Sequence, residues 1–135
     1  MKERGQGMVE FALLLSFLLI LLGGMISFAV VLSDYGAASD SAQKAAHAAA
    51  IFFVDGSRKS CYDRAIAAAG NPNFLMAKPV SFTIAPCDTN PDWIGPSRQP
   101  VTATWVISVN PPIPFVYDTF GFPITLTVVE EDYFR

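Results

Sequence analysis

From Phe11 to Leu32 the chain runs for 22 residues without a single charged side chain. As an α-helix this segment is roughly 33 Å long, enough to cross a bilayer core of about 30 Å. A mean hydropathy of +0.38 over 135 residues, with 52% hydrophobic and only 16% charged, is traceable to this one segment. A wholly soluble protein is therefore excluded as the expectation. Beyond Ser33 about 100 residues remain, which is one small domain.

The residues before the apolar run include Lys2 and Arg4, and these favour the cytoplasmic side under the positive-inside rule. The bulk of the chain then lies outside. A secretory signal peptide has the same general form, but its apolar core is usually about 7 to 15 residues long and ends at a small-residue cleavage site. Here the run is longer and no such site stands cleanly at its end. The segment reads as a retained anchor. A net charge of -3 and no basic stretch beyond Arg58-Lys59 leave out the electrostatic footprint of a nucleic-acid binder.

Glu10 stands directly before Phe11, at the edge of the hydrocarbon, where an unpaired carboxylate is expensive. Either it lies among the headgroups and the membrane begins at Phe11, or it has a partner. The surrounding motif is Arg4-Gly5-Gln6-Gly7-Met8-Val9-Glu10-Phe11, followed by Ala12 and Leu13 to Leu15. It resembles the start of TadE-like proteins, the minor pilins (pseudopilins) of tight-adherence, type IV-like pili. The resemblance implies cleavage by a prepilin peptidase after a Gly that leaves Glu as the fifth residue of the mature chain. Only a cut between Gly5 and Gln6 places Glu10 there, since a cut after Gly7 would make it the third.

The likeness continues through Tyr35-Gly36-Ala37 and the Ala-rich stretch to Ala50. It is looser over Val101–Val109 and Pro123–Val128, which are similar to the family's closing pair of strands. Where the family often carries Arg in the second half of the helix, this chain has Lys44 and His47. The resemblance implies a structural subunit, and since the sequence carries no Gly-rich phosphate loop, paired-carboxylate signature or catalytic constellation, no enzymatic activity and no cofactor are expected. Its partners would be other pilin subunits, the prepilin peptidase and the membrane, but not nucleic acid. The precursor would sit in the cytoplasmic membrane with its N-terminus inside, and the assembled form in an extracellular pilus, with Glu10 setting register against the new amine of Gln6 in an adjacent subunit. A minor subunit is favoured because major tight-adherence pilins are much shorter. The alternatives are a major subunit of an extracellular filament, or a membrane-anchored extracellular binding module that never assembles.

The residues themselves predict an α+β fold of type IV pilin-like architecture. Ala is the best helix former, so the anchor helix should continue from the membrane into the exported part as one rod over Gln6–Phe53, with Gly23-Gly24 the cheapest place to bend. Its small residues Ala37, Ala38, Ala42, Ala45, Ala46 and Ala49 allow close packing, and Asp55-Gly56 should end it. A second, short helix capped by Ser57 should run to about Ala69 and stop at Gly70. Period-two alternation in Val80–Ile84, Val101–Val109 and Ile124–Val128 predicts a three-stranded antiparallel sheet with one face under the long helix. The division is a leader at 1–5, a transmembrane and assembly helix at 6–33 and an exported domain at 34–135.

Pro86, Pro91, Pro96, Pro100 and then Pro111, Pro112, Pro114 and Pro123 mark two fixed loops. Their aromatics Trp93, Phe115, Tyr117, Phe120 and Phe122 would cover the sheet edge or meet a neighbouring subunit. Cys61 and Cys87, both in the exported part, are expected to form a disulfide. Free thiols or a metal site are the other options, and two Cys with a distant His47 are too few ligands for the latter. Asp88-Thr89-Asn90-Pro91-Asp92 begins like a calcium loop but has Trp93 where Gly is needed and Gln99 in place of the bidentate Glu, so it reads as a polar turn. His47 reads as a surface or packed histidine without a catalytic partner, and Glu130, Glu131 and Asp132 as a solvated acidic edge.

Overall fold

The computed structural model describes residues 3–51, 61–85, 87, 100–110 and 123–133. Two helices, α1 (Glu3–Ala50) and α2 (Cys61–Ala69), precede three strands, β1 (Ala77–Ala85), β2 (Pro100–Val109) and β3 (Ile124–Tyr133). The strands form one antiparallel sheet in the order β1-β2-β3. This is the α+β arrangement expected, a long helix and a short one beside a three-stranded sheet.

Helix α1 is unbroken for 48 residues and passes through Gly23-Gly24 without losing its helical hydrogen bonding. Its end differs from the expected Phe53. The last helical residue is Ala50, and Ile51 is already outside, its N–H donating to the carbonyl of His47 at 3.2 Å. The first residue outside, Ile51, is β-branched and a weaker helix former than the Ala residues before it, and residues 52–53 lie outside the described residues. Asp55-Gly56 and the Ser57 cap lie outside the described residues, as do the Asp88–Asp92 turn and the loop aromatics Trp93, Phe115, Tyr117, Phe120 and Phe122.

The two halves of α1 meet different surroundings. In the outer half Ala38, Ala42, Ala45, Ala46, Ala49 and Ala50 are buried, forming adjoining rows spaced three or four residues apart on one helix face. Their small side chains let the helix backbone come close to the sheet. The helix lies chiefly across β2 and β3, with little contact to β1, and α2 packs beside it. Gly70 closes α2 with φ +61°, its N–H donating to the Ile66 carbonyl at 3.2 Å. That left-handed conformation is why a Gly stands there.

On β2 every odd position from Val101 to Val109 is buried, as the alternation predicts. Ile84, Val101, Ile107, Val109 and Val128 fill the core. Trp105 stacks on Phe82 with ring centroids 4.4 Å apart and meets the edge of Phe74 at 6.2 Å.

Strand β1 departs from the expectation. It begins at Ala77, three residues before Val80, and its register slips between Pro79 and Ser81. Ala77 and Ile84 are both buried although seven positions apart, which strict alternation forbids. The bulge resolves the conflict by inserting Val80 as an extra residue and exchanging the odd face for the even one. Val80, expected inward, is exposed in consequence.

Strand β3 also runs further than expected, to Tyr133. The acidic residues Glu130, Glu131 and Asp132 belong to this edge strand, paired to β2, with Glu131 exposed and Glu130 and Asp132 half-buried.

Candidate functional site

The inner half of α1 has a surface unlike the rest of the domain. Between Phe11 and Leu32 nearly every large side chain is exposed, among them Phe11, Leu14, Phe17, Leu19, Ile20 and Phe28. It is the one helix among the described residues long and apolar enough to cross a membrane. A core helix of a soluble domain would pass the same length and composition test, but it would be buried, and this segment is not. Fourteen large apolar side chains stand exposed here, and leaving them in water forgoes on the order of 15 kcal/mol. That is as much as the whole folding stability of a typical domain. The surface requires lipid or other apolar helices around it.

The polar groups of this half are satisfied internally. Ser16 Oγ donates to the Ala12 carbonyl at 2.8 Å and Ser27 Oγ to that of Gly23 at 2.9 Å, the back-bonding that lets a hydroxyl sit in an apolar medium. Glu10 lies on α1 one residue before the apolar surface, with its side chain exposed. Gly5 and Gln6 fall in the first turns of the same helix.

Where the apolar half ends, Asp34 is fully buried. Its carboxylate accepts three backbone hydrogen bonds, from the N–H groups of Leu75 at 2.6 Å, Met76 at 3.1 Å and Ala77 at 2.7 Å. These donors sit just before and at the start of β1, and three charge-assisted bonds to one carboxylate are a strong clamp. About two turns further along, buried Ser41 donates to the Ala69 carbonyl at 2.8 Å and accepts from Trp105 Nε1 at 3.1 Å. One hydroxyl thereby joins α1 to the end of α2 and to the middle of β2.

The far end of α1 meets β3 through polar pairs. Ser39 Oγ donates to Glu130 Oε1 at 2.6 Å, and His47 Nδ1 lies 2.7 Å from Asp132 Oδ2. His47 is thus a surface histidine, 64% exposed, but one held by a carboxylate. It borders a shallow groove with Asp40, Gln43, Lys44, Glu131 and Asp132. Asp40 and Lys44 pair with each other across one turn. No cluster of His, Cys, Asp and Glu suited to a metal ion occurs among the described residues.

Cys61 and Cys87 are joined, with Cα atoms 5.7 Å apart and both residues buried. The bond ties the start of α2 to Cys87, two residues past the end of β1. Arg64, one turn into α2, donates from Nη1 to the Ile51 carbonyl at 3.3 Å, closing the C-terminal end of α1.

Sequence reasoning picked out Gly5, Gln6, Glu10, Cys61 and Cys87 but not Asp34, Ser41 or the two contacts of β3. A signal existed for the last. Glu130 and Asp132 share the even parity of Ile124, Leu126 and Val128, so the alternation already aimed them at the helix. Asp34 is the first charge past the apolar run, and nothing near it in sequence names its partners, which lie 41 to 43 residues away.

The arrangement is that of a two-part rod, one end clad in a folded domain and the other presenting an apolar surface headed by a carboxylate. No curated protein and no solved structure gives a significant match to this chain. Residues 5–47, which span the apolar half of α1 and most of its outer half, match the family model of TadE-like proteins.

Proposed function

We propose that this chain is a pilin-like structural subunit, a minor pilin or pseudopilin, of a tight-adherence pilus. In this reading the precursor is stored in the cytoplasmic membrane through residues 6–33, with its N-terminus inside and the α+β domain of residues 34–135 outside. A prepilin peptidase removes residues 1–5 by cutting between Gly5 and Gln6. The apolar half of α1 then passes from lipid to the company of neighbouring subunits.

The observation that carries this is the exposed apolar half of α1, continuous with a half that is packed to a sheet. Such a rod exchanges one apolar environment for another without unfolding its domain. The similarity of residues 5–47 to TadE-like proteins supports the same reading, because it covers both Glu10 and the proposed cut. Glu10 has a role in it too. Cleavage creates an amine at Gln6, and a carboxylate on the edge of an apolar bundle is stable there only with a cationic partner. Pairing with the amine of an adjacent subunit fixes the axial offset between helices, and such a buried pair serves register more dependably than net stability.

N-terminal mass analysis of native material tests the processing step. Gln6 is expected as the first residue, and Met1 retained in assembled material would refute it. Glu10→Ala should insert at least as well as the wild type, since the segment becomes more apolar, but should fail to enter pilus complexes. Equal incorporation of the two forms would remove the register role. Monomers that never enter a filament, with an uncut N-terminus, would identify an anchored binding module instead.

A further inference from the structure

At the point where α1 leaves its apolar half, two distant parts of the chain return to the same level of the rod. The three hydrogen bonds to Asp34 hold the backbone of Leu75, Met76 and Ala77 within contact distance of that residue. The side chains carried by this turn are apolar and face out, Leu75 65% and Met76 44% exposed. The sheet register brings a third segment there. Ala77 stands opposite Val109, and Val109 opposite Ile124, so β3 begins at the same end, with Ile124 also exposed. From α1 itself Leu32 and Tyr35 are exposed at this level. Exposed apolar side chains from three chain segments thus lie at the end of the sheet where the helix leaves its apolar half, forming an apolar rim there.

Depth decides what covers the rim. The uncharged run Phe11–Leu32 fills a bilayer core of about 30 Å almost end to end. Asp34 comes two residues later, about 3 Å further along the axis, within the headgroup layer. Whatever is fixed to Asp34 shares that depth. This layer favours partly inserted apolar side chains, Tyr, and Lys able to reach lipid phosphates, and exposed Lys78 is the second residue of β1. The Asp34 charge does not oppose the placement, because it is buried and satisfied by three N–H groups.

We propose that the rim formed by Leu75, Met76, Ile124 and Tyr35 is a membrane-surface contact. It seats the exported domain in the interfacial layer of the bilayer from which α1 emerges, with Asp34 as the positioning residue. This rests on the membrane-anchored reading given above. In the stored subunit the contact fixes the tilt of the domain against the bilayer, and extraction has to break it.

The test uses the full chain in vesicles of phosphatidylcholine and phosphatidylglycerol, with one nitroxide label at a time at Leu19→Cys, Leu75→Cys, Met76→Cys or Thr83→Cys. Cys61 and Cys87 are bonded to each other, so only the introduced thiol reacts. Collision with oxygen, enriched in lipid, is compared with collision with a water-soluble nickel chelate. Leu19 should be dominated by oxygen and Thr83, at the other end of β1, by nickel. At positions 75 and 76 the oxygen-to-nickel ratio should exceed that at Thr83 several-fold, and adding Asp34→Ala should abolish the excess while Leu19 is unchanged. A ratio at 75 and 76 equal to that at Thr83, with Leu19 still in lipid, overturns the proposal and leaves the anchor standing. Exclusion of both reagents, with spin–spin broadening relieved by diluting in unlabelled protein, identifies a second copy as the occupant and also overturns it. If Leu19 is itself dominated by nickel, the membrane-anchored reading fails and the rim contact with it.

Discussion

Replacing Asp34 by Ala removes the one acceptor shared by three backbone donors, and its cost follows from where those donors lie. Ala77 is buried, so its N–H, once orphaned, carries a desolvation penalty of about 1–3 kcal/mol. Leu75 and Met76 are exposed residues whose N–H groups can turn to water, and losing each bond costs about 0.5–1.5 kcal/mol. Against this, the variant no longer has to bury a carboxylate, which offsets part of the loss. The net is about 2–4 kcal/mol, a large fraction of the 5–15 kcal/mol typical of a domain. Asp34→Asn keeps one oxygen, which can still serve Met76 and Ala77, so about half that loss is expected. The assay is guanidinium unfolding of the full chain in detergent micelles, followed by hydrogen exchange at the amides of Leu75 to Ala77. Both variants should lower the midpoint of the sheet, and protection of the Ala77 amide should collapse in Asp34→Ala while the apolar half of α1 keeps its helicity. A stability change below about 0.5 kcal/mol with those amides still protected would refute the clamp.

Ser41→Ala leaves the Trp105 indole N–H and the Ala69 carbonyl without a shared partner, and a loss of about 2 kcal/mol is expected, together with faster exchange of the indole proton measured by NMR; unchanged exchange would contradict the link. Alkylation of unreduced protein should label neither Cys61 nor Cys87, and reduction of this bond, closing a separation of 26 residues, should cost about 3.5 kcal/mol in the chain-entropy model and render the sheet region protease-sensitive while the rod survives. The His47 and Asp132 pair is half in water, so a double-mutant cycle with His47→Ala and Asp132→Ala should give a coupling below about 1 kcal/mol; a coupling well above that would mean the pair is shielded from solvent.

Much of the fold was legible because it depends on neighbours along the chain. The uncharged run Phe11–Leu32 sets the apolar half of α1 by length and composition alone. The rows of Ala from Ala38 to Ala50 name the packed face through a fixed helical period. The even and odd alternation of β2 and β3 names their buried faces, and Gly70 marks the end of α2 because few other residues accept its backbone angles. Gly5, Gln6 and Glu10 were singled out in the same local way, as a contiguous motif ahead of the apolar run, and their role is the proposal that N-terminal mass analysis and Glu10→Ala test.

Other features were decided only when distant segments met. That Val80 faces out follows from the demand that both Ala77 and Ile84 reach one core; the bulge that reconciles them sits beside Pro79, which cannot donate to the ladder, and it takes effect only through pairing with β2. The length of β3 past Val128 likewise depends on its partner, since Glu130, Glu131 and Asp132 have little intrinsic preference for a strand. They stay in it because β2 supplies the ladder, while Ser39 and His47 supply partners for Glu130 and Asp132. Asp34 is the clearest case. A carboxylate two residues past an apolar span reads as a solvated end, and burying it is unfavourable until three N–H groups from the start of β1 converge on it. The sequence by itself determined which stretches are apolar, helical or alternating, because those properties repeat over a few residues. Only the tertiary structure decided which polar groups are buried together, because a hydrogen bond is satisfied by whatever the fold brings within 3 Å, however far along the chain it lies.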